Sequence, residues 1–360
     1  MSRDVRVVAR AKLTLSLRVL GRRSDGFHDL EGLVVSLRDP HDVLGLRIQA
    51  PFGVRVRLSG RAVVGVPVDE TNLAARAARL LLEVAAESED PGPWAASGLD
   101  ISLHKTIPAG AGLGGGSADA AGTLVGGARL LGLDLDTARL AALGASLGSD
   151  VPFCVAGGAA WMRGRGEILE PVSLPGSGAP SEYASQATGA APPAEPEAVG
   201  SLGLPAPAGP SRLPTGGSPP PWPGQLEPPT GLSLVVAVPQ FPLNTAAVYR
   251  AWDELGGPSS DRAVALPEAL TAPGMPGVLV NDLEPAAEHV EPRLRPFREA
   301  LELLAGAPAL LAGSGSAYVV PVASPAQAAV LANQVSAELR ALAFATGLSA
   351  RGVEAQKAPE

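Results

Sequence analysis

Between residues 108 and 127 the chain reads PAGAGLGGGSADAAGTLVGG, and this stretch restricts its possible folds more than any other. With so few side chains, the backbone itself is the functional surface. A strand-like run, LDISLHK, leads into it and a helix-forming run, SADAAGTLVGGARLLG, follows. A strand, a glycine turn and a helix start aim unpaired N–H groups and the positive end of the helix dipole at one point. Glycines also let an anion approach the main chain with no Cβ in the way. The stretch reads as a phosphate cradle shaped by Pro108, Gly110, Gly112, Gly114, Gly115 and Gly116, with the Ser117 hydroxyl available to a phosphate or a magnesium ion. The alternative is a flexible Gly/Ala turn.

Gly110-x-Gly112-x-x-Gly115 also satisfies the dinucleotide-binding pattern, a weak signal when it stands alone. Its context argues against that reading, because a Rossmann loop follows the first strand of its domain and this loop begins only at residue 108. No GKS or GKT follows the glycines, which excludes a P-loop.

A net charge of −8 argues against a nucleic-acid groove or an anionic membrane surface and favours a small-molecule substrate. The start, MSRDVRVVARAK, has no apolar block of the signal-peptide kind, and no long apolar run follows it, so a cytoplasmic location is expected. Cys154, the single cysteine, lies in the apolar phrase VPFCVAG and reads as a buried structural thiol.

Residues 175–230 hold 15 of the 36 prolines, mixed with Gly, Ser and Ala, and read as a disordered insertion between the strand-like GEILEPVSL and GLSLVVAVP. Elsewhere strands and helices alternate. VRVVARAKLTLSLRVLG, LVVSLR, DVLGLRIQ and VRVRLSG read as separate strands, and a helix follows Asn72 behind a DETN cap. DTARLAALGASLG is a further helix; later helices are expected around Thr245–Leu255, Arg293–Leu304 and Ala326–Leu342, with a strand at LSLVVAVP. Consecutive strands at the start give an α+β or α/β chain with antiparallel content.

PAGAGLGGGSADAA resembles the central ATP-loop motif of the GHMP kinases. ARAKLTLSLRVLGRRSDGFHDLEGL and LGSDVPFCVAGGAAWMRGRGEILEPV resemble the branch of that superfamily whose substrate is a cytidyl diphosphate sugar alcohol of isoprenoid precursor synthesis. NDLE at 281–284 and LLAGSGSAYVV at 310–320 are similar to its remaining motifs. The resemblance implies a two-domain α+β fold, with an ATP domain over 1–165 and a ferredoxin-like substrate domain over 166–360. It further implies ATP and Mg²⁺ as cofactors, and leaves the oligomeric state open between monomer and homodimer.

Carried over by residue, the resemblance makes Lys12 and Asp150 the catalytic pair. It assigns Thr14, Phe27, His28, Thr245 and Tyr249 to the substrate, with Phe27 and Tyr249 flanking the cytosine, and Asn72, Leu73 and Lys105 to the adenosine pocket. Ser117 is the candidate metal ligand. Thr14 stands where the family often has Asn, and Phe27 where tyrosine is common. Taken alone, Asp150 reads as a cap or turn residue, Lys12 as a solvated strand lysine and His28 as a surface imidazole. Two other readings stay open: a different GHMP kinase, such as one acting on homoserine, or a non-catalytic nucleotide-binding protein that works through its Pro-rich arm.

Overall fold

The computed structural model describes residues 4–49, 53–87, 97–172, 232–265 and 278–357; the Pro-rich segment lies outside them. The first half comprises β1 (Asp4–Arg22), β2 (His28–Gln49), β3 (Val54–Gly60), α1 (Leu73–Ala86), β4 (Gly98–Lys105), α2 (Gly115–Leu131), α3 (Thr137–Ala145), α4 (Val151–Ala156), β5 (Ala159–Gly164) and β6 (Ile168–Val172). The second comprises β7 (Ser233–Val238), α5 (Thr245–Glu254), β8 (Ala263–Ala265), β9 (Val278–Val280), α6 (Glu284–Val290), α7 (Leu294–Ala305), β10 (Leu310–Leu311), β11 (Tyr318–Val322), α8 (Pro325–Glu338), β12 (Leu342–Ser349) and β13 (Val353–Lys357).

LVVSLR and DVLGLRIQ, expected as two strands, form one. β2 runs through DPHD as an irregularity of its own: between the Lys12–Ser36 and Arg10–His41 pairs, residues 37–40 of β2 face the single β1 residue Ala11, so Asp39 and Pro40 need no ladder partner in β1. The last helix stops at Glu338, short of the expected Leu342, and Arg340 at φ 51° turns the chain into β12.

Among the described residues one 11-stranded sheet carries both halves, in the order β10-β11-β7-β12-β2-β1-β13, with β3 and β4 joined through β2 and with β5 and β6 beside it. β12 links the halves: Leu342–Gly347 pair with β7, and Leu348 and Ser349 pair with β2. β13 returns to β1, so the C-terminal strand lies beside the first strand of the chain.

One apolar core lies between this sheet and α1 and α2; a second packs α5, α6, α7 and α8 against β7 and β11. The glycines of α2 beyond the loop serve the first core. A Cβ on Gly126 would sit 2.5 Å from Val7 Cγ2 and 2.7 Å from Leu46 Cδ1, so the helix lies closer to the sheet than alanine allows. α1 begins where DETN predicts, with the Asn72 side chain accepting from the amides of Ala74 and Ala75. No helix among the described residues is long and apolar enough to cross a membrane.

Candidate active site

The glycine-rich segment connects β4 to α2. Gly110, Gly112 and Gly114 all take positive φ, while Ala111 and Leu113 between them are buried in the core. The alternation folds the loop as a series of left-handed kinks pinned by two apolar anchors. The Lys12 amide donates to the Leu113 carbonyl at 3.0 Å and ties the loop to β1. Helical bonding in α2 begins with the Ala118 amide on the Gly114 carbonyl, at 2.8 Å. The amides of Gly115, Gly116 and Ser117 precede that bond and have no helical acceptor. The Ser117 hydroxyl makes no hydrogen bond among the described residues. Such a main-chain surface suits an anion.

A second glycine turn closes against the first. Gly313 and Gly315 have positive φ, and a Cβ on Gly112 would lie 3.0 Å from the carbonyl oxygens of both Ala312 and Gly315. The NDLE stretch braces this turn. Asn281 Nδ2 donates to the carbonyls of Leu311 and Gly313, each at 2.7 Å, and Asp282 accepts from the Val19 amide of β1 at 3.1 Å. Thr245 Oγ1 lies 2.9 Å from Ser314 Oγ, which joins the start of α5 to the same turn.

Lys12 lies on β1 beside a register shift that separates the Arg10 and Lys12 pairings with β2. Its stem crosses Gly114, and its ammonium reaches Asp150 Oδ2 at 3.3 Å and Thr14 Oγ1 at 3.4 Å. Asp150 occupies the cap position of α4 but makes no capping bond with its side chain. The Asp150 side chain stays 43% exposed against 11% for Lys12, so the carboxylate is open to solvent while the ammonium is largely enclosed.

Phe27 and His28 sit where the β1–β2 hairpin turns back. Asp25 accepts from the Phe27 amide at 3.1 Å. The Phe27 ring is 55% exposed with the Arg165 guanidinium 4.9 Å above it. His28 is largely enclosed: its ring stacks on Tyr249 at 4.8 Å, meets Trp252 edge-on at 5.5 Å, and places Nε2 2.8 Å from Asp253. Phe27 and Tyr249 make no ring contact with each other; one face of Tyr249 is taken by His28. Burial pushes the Tyr249 phenol up, and the Asp150 charge adds to the rise.

The adenosine-side candidates divide. Leu73 would meet a Cβ on Gly116 at 3.4 Å, so the start of α1 borders the start of α2. The Asn72 side chain is spent on capping and on the Pro67 carbonyl. Lys105 presents no open charge: it is 2% exposed and bonds both Asp42 and Asp119, the latter at 2.6 Å. Burial would depress the Lys105 ammonium, but the two carboxylates outweigh it and hold it above its ordinary value. Burial pushes Asp119 well above the carboxylate range; Lys105 opposes the rise and Asp42 adds to it. Asp42 also accepts from the amides of Thr106 and Ile107, at 2.6 and 3.0 Å, and so anchors the chain just before the loop.

Lys105→Met leaves two carboxylates facing each other in the core. The expected cost is about 3–5 kcal/mol of stability, read by urea unfolding. A loss below about 1 kcal/mol, the range of exposed ion pairs, would show that the cluster is not a brace.

The model for the GHMP kinases N terminal domain matches residues 72–158, which span α1, the loop, α2 and the Asp150 turn. A 4-diphosphocytidyl-2-C-methyl-D-erythritol kinase of Moorella thermoacetica is 35% identical over 315 residues, 86% of this chain and 87% of that protein. The chain belongs to the 4-diphosphocytidyl-2-C-methyl-D-erythritol kinase family. The same kinase of Methylococcus capsulatus is 47% identical over 174 residues, 48% of this chain and 55% of that protein. Among solved structures, a 4-(cytidine 5'-diphospho)-2C-methyl-D-erythritol kinase matches with a TM-score of 0.61 and 28% identity, covering 96% of this chain and all of that one. The homoserine kinase of Cytophaga hutchinsonii, 17% identical with a TM-score of 0.62 over 99% of this chain and 98% of that one, shares the fold.

The sequence pattern alone does not single out Asp42, Asp119 or Asp253, although each holds a neighbouring group in place. NDLE resembles a family motif, but its task as a strut for the second glycine turn shows only in three dimensions. Cys154, one turn beyond Asp150, is buried, and burial pushes its thiol up, with Asp150 adding to the effect. A neutral, enclosed thiol is not a nucleophile.

Proposed function

We propose that the chain transfers the γ-phosphoryl group of ATP to the 2-hydroxyl of 4-diphosphocytidyl-2-C-methyl-D-erythritol, giving the 2-phosphate and ADP in the non-mevalonate route to isoprenoid precursors. The observation that carries the reading is the Lys12–Asp150 ion pair at 3.3 Å, with the Lys12 stem lying over the last glycine of the cradle. Phosphoryl transfer to an alcohol needs the donor held in line, its charge balanced, and the hydroxyl oriented or deprotonated. The free amides of Gly115, Gly116 and Ser117 and the positive end of α2 suit the phosphates. Asp150 accepts the proton of the attacking hydroxyl. Lys12 pairs with that carboxylate and stabilises the developing alkoxide.

No cluster of three or more His, Cys, Asp or Glu side chains is gathered as a metal cage among the described residues. The donor set fits Mg²⁺ arriving with the nucleotide, since Mg²⁺ is usually held by one or two protein oxygens plus substrate phosphates. Ser117, with its unengaged hydroxyl, would be the protein ligand, and the ion would neutralise phosphate charge when bound. Phe27, His28, Thr245 and Tyr249 are read as the cytidyl side of the cleft, with Thr14 beside Lys12.

The test supplies MgATP with the cytidyl substrate, homoserine and mevalonate separately and follows ADP release. Turnover with the cytidyl substrate alone is expected; silence with it, or equal turnover of homoserine, rejects the reading. Phe27→Ala should weaken the cytidyl substrate by about 1–3 kcal/mol, the range for a base stacked on an aromatic ring. Because Phe27 is largely exposed, unfolding stability should barely change. A KM for the cytidyl substrate equal to wild type would remove Phe27 from the site.

A further inference from the structure

The His28 ring is held more firmly than contact with a base requires. Its Nε2 lies 2.8 Å from Asp253 Oδ1, and the other carboxylate oxygen of Asp253 lies 3.6 Å from Arg22 Nη1. Tyr249, Trp252 and Asp253 sit at i, i+3 and i+4 of α5, so one helix face supplies a stacking plane, an edge contact and an acceptor to the same imidazole. Trp252 is fixed in turn by its indole N–H, which donates to the Pro258 carbonyl at 3.0 Å. The His28 Nδ1 makes no hydrogen bond among the described residues.

A carboxylate only accepts, so the nitrogen facing Asp253 carries the hydrogen, and in a neutral imidazole the other nitrogen is then an acceptor. We propose that Asp253 is a positioning residue that fixes His28 as its Nε2–H tautomer, so that Nδ1 accepts from the exocyclic amine of cytosine and the enzyme prefers cytidyl over uridyl substrates. The proposal rests on the reading that His28 meets the base. Cytosine presents an amine donor at its 4-position; a uracil presents a carbonyl acceptor there. A bare Nδ1 lone pair therefore rewards the first and opposes the second, and the discrimination comes from the mismatch as much as from the match.

The experiment has a spectroscopic and a kinetic arm. In protein labelled with ¹⁵N at its four histidines, long-range ¹H–¹⁵N correlation at pH 8 assigns His28 by its loss in His28→Ala and reads its tautomer directly. The Nε2–H pattern is expected; an Nδ1–H pattern overturns the proposal whatever the variants do.

In the kinetic arm, kcat/KM for cytidyl and uridyl substrates is compared, with KM for ATP as the control. Asp253→Ala should lower the cytidyl-to-uridyl ratio by about tenfold or more. Asp253→Asn, whose amide can donate to Nε2 and stabilise the opposite tautomer, should lower it further, toward preference for the uridyl substrate. Asp253→Glu, still only an acceptor, should keep most of the ratio. Wild type with no cytidyl turnover rejects the functional reading, and this proposal with it. Wild-type preference retained in His28→Ala removes His28 from the base. Preference lost in His28→Ala but retained in Asp253→Ala and Asp253→Asn overturns the role of Asp253 alone.

Discussion

Asp150→Asn is expected to lower kcat by about 10²–10⁴-fold while leaving KM for ATP close to wild type. The substitution keeps size and position but removes the proposed proton acceptor. The proposed phosphate cradle, the amides of Gly115, Gly116 and Ser117, lies on a different element, so it should be unaffected. Asp150 forms no cap bond with its side chain, so the change does not unfasten α4, and a large kinetic effect with an intact unfolding transition separates chemistry from structure. Lys12 loses its ion-pair partner in this variant, yet its ammonium retains Thr14 Oγ1 at 3.4 Å. Activity within threefold of wild type would sink the general-base assignment.

Gly114→Ala is expected to be comparably damaging by a different route. Gly114 has φ +68°, where an L side chain costs about 1–2 kcal/mol. Its new Cβ would also lie 2.7 Å from Lys12 Cγ and 3.2 Å from Cε, so the lysine stem must move and its ammonium leaves Asp150. Misplacing a catalytic group by about 1 Å costs on the order of 10²-fold, and that much is expected in kcat. Gly132→Ala is the internal control: it lies at the other end of α2 with φ +72° and nothing within 4 Å of the added carbon. Both variants should lose similar stability in urea, and only Gly114→Ala should lose turnover. Equal kinetic effects would mean that backbone strain alone accounts for the loss.

How much of this could be read from residues depends on the range of the contact. The geometry of the glycine loop was legible because it lies in the main chain, and a run of glycines between a strand and a helix announces a turn of this kind locally. α1 was legible because DETN is a local cap. β12 and β13 were not, because LRALAFATGLSARGVEAQK mixes small residues without period-two alternation and its pairing partners, β7, β2 and β1, lie far away in sequence.

The same holds at the site. Lys12 reads as an ordinary strand lysine until Asp150, which reads as an ordinary cap, is brought beside it across 138 residues. Family resemblance supplied that pair where local physics could not. Asp253 in AVYRAWDE carries every sign of a solvated helix acid, and only the fold sets it against an imidazole 225 residues away.

β12 belongs to both halves of the molecule, with six residues paired to β7 and the next two to β2. Two lobes that share a strand cannot swing apart as rigid bodies without breaking its ladder. The two glycine turns already lie against each other at Gly112 before either substrate arrives. On the proposed reading the catalyst is thus preorganised: the entropy of bringing the nucleotide side and the acceptor side together is met once, when the chain folds, and does not recur with each turnover.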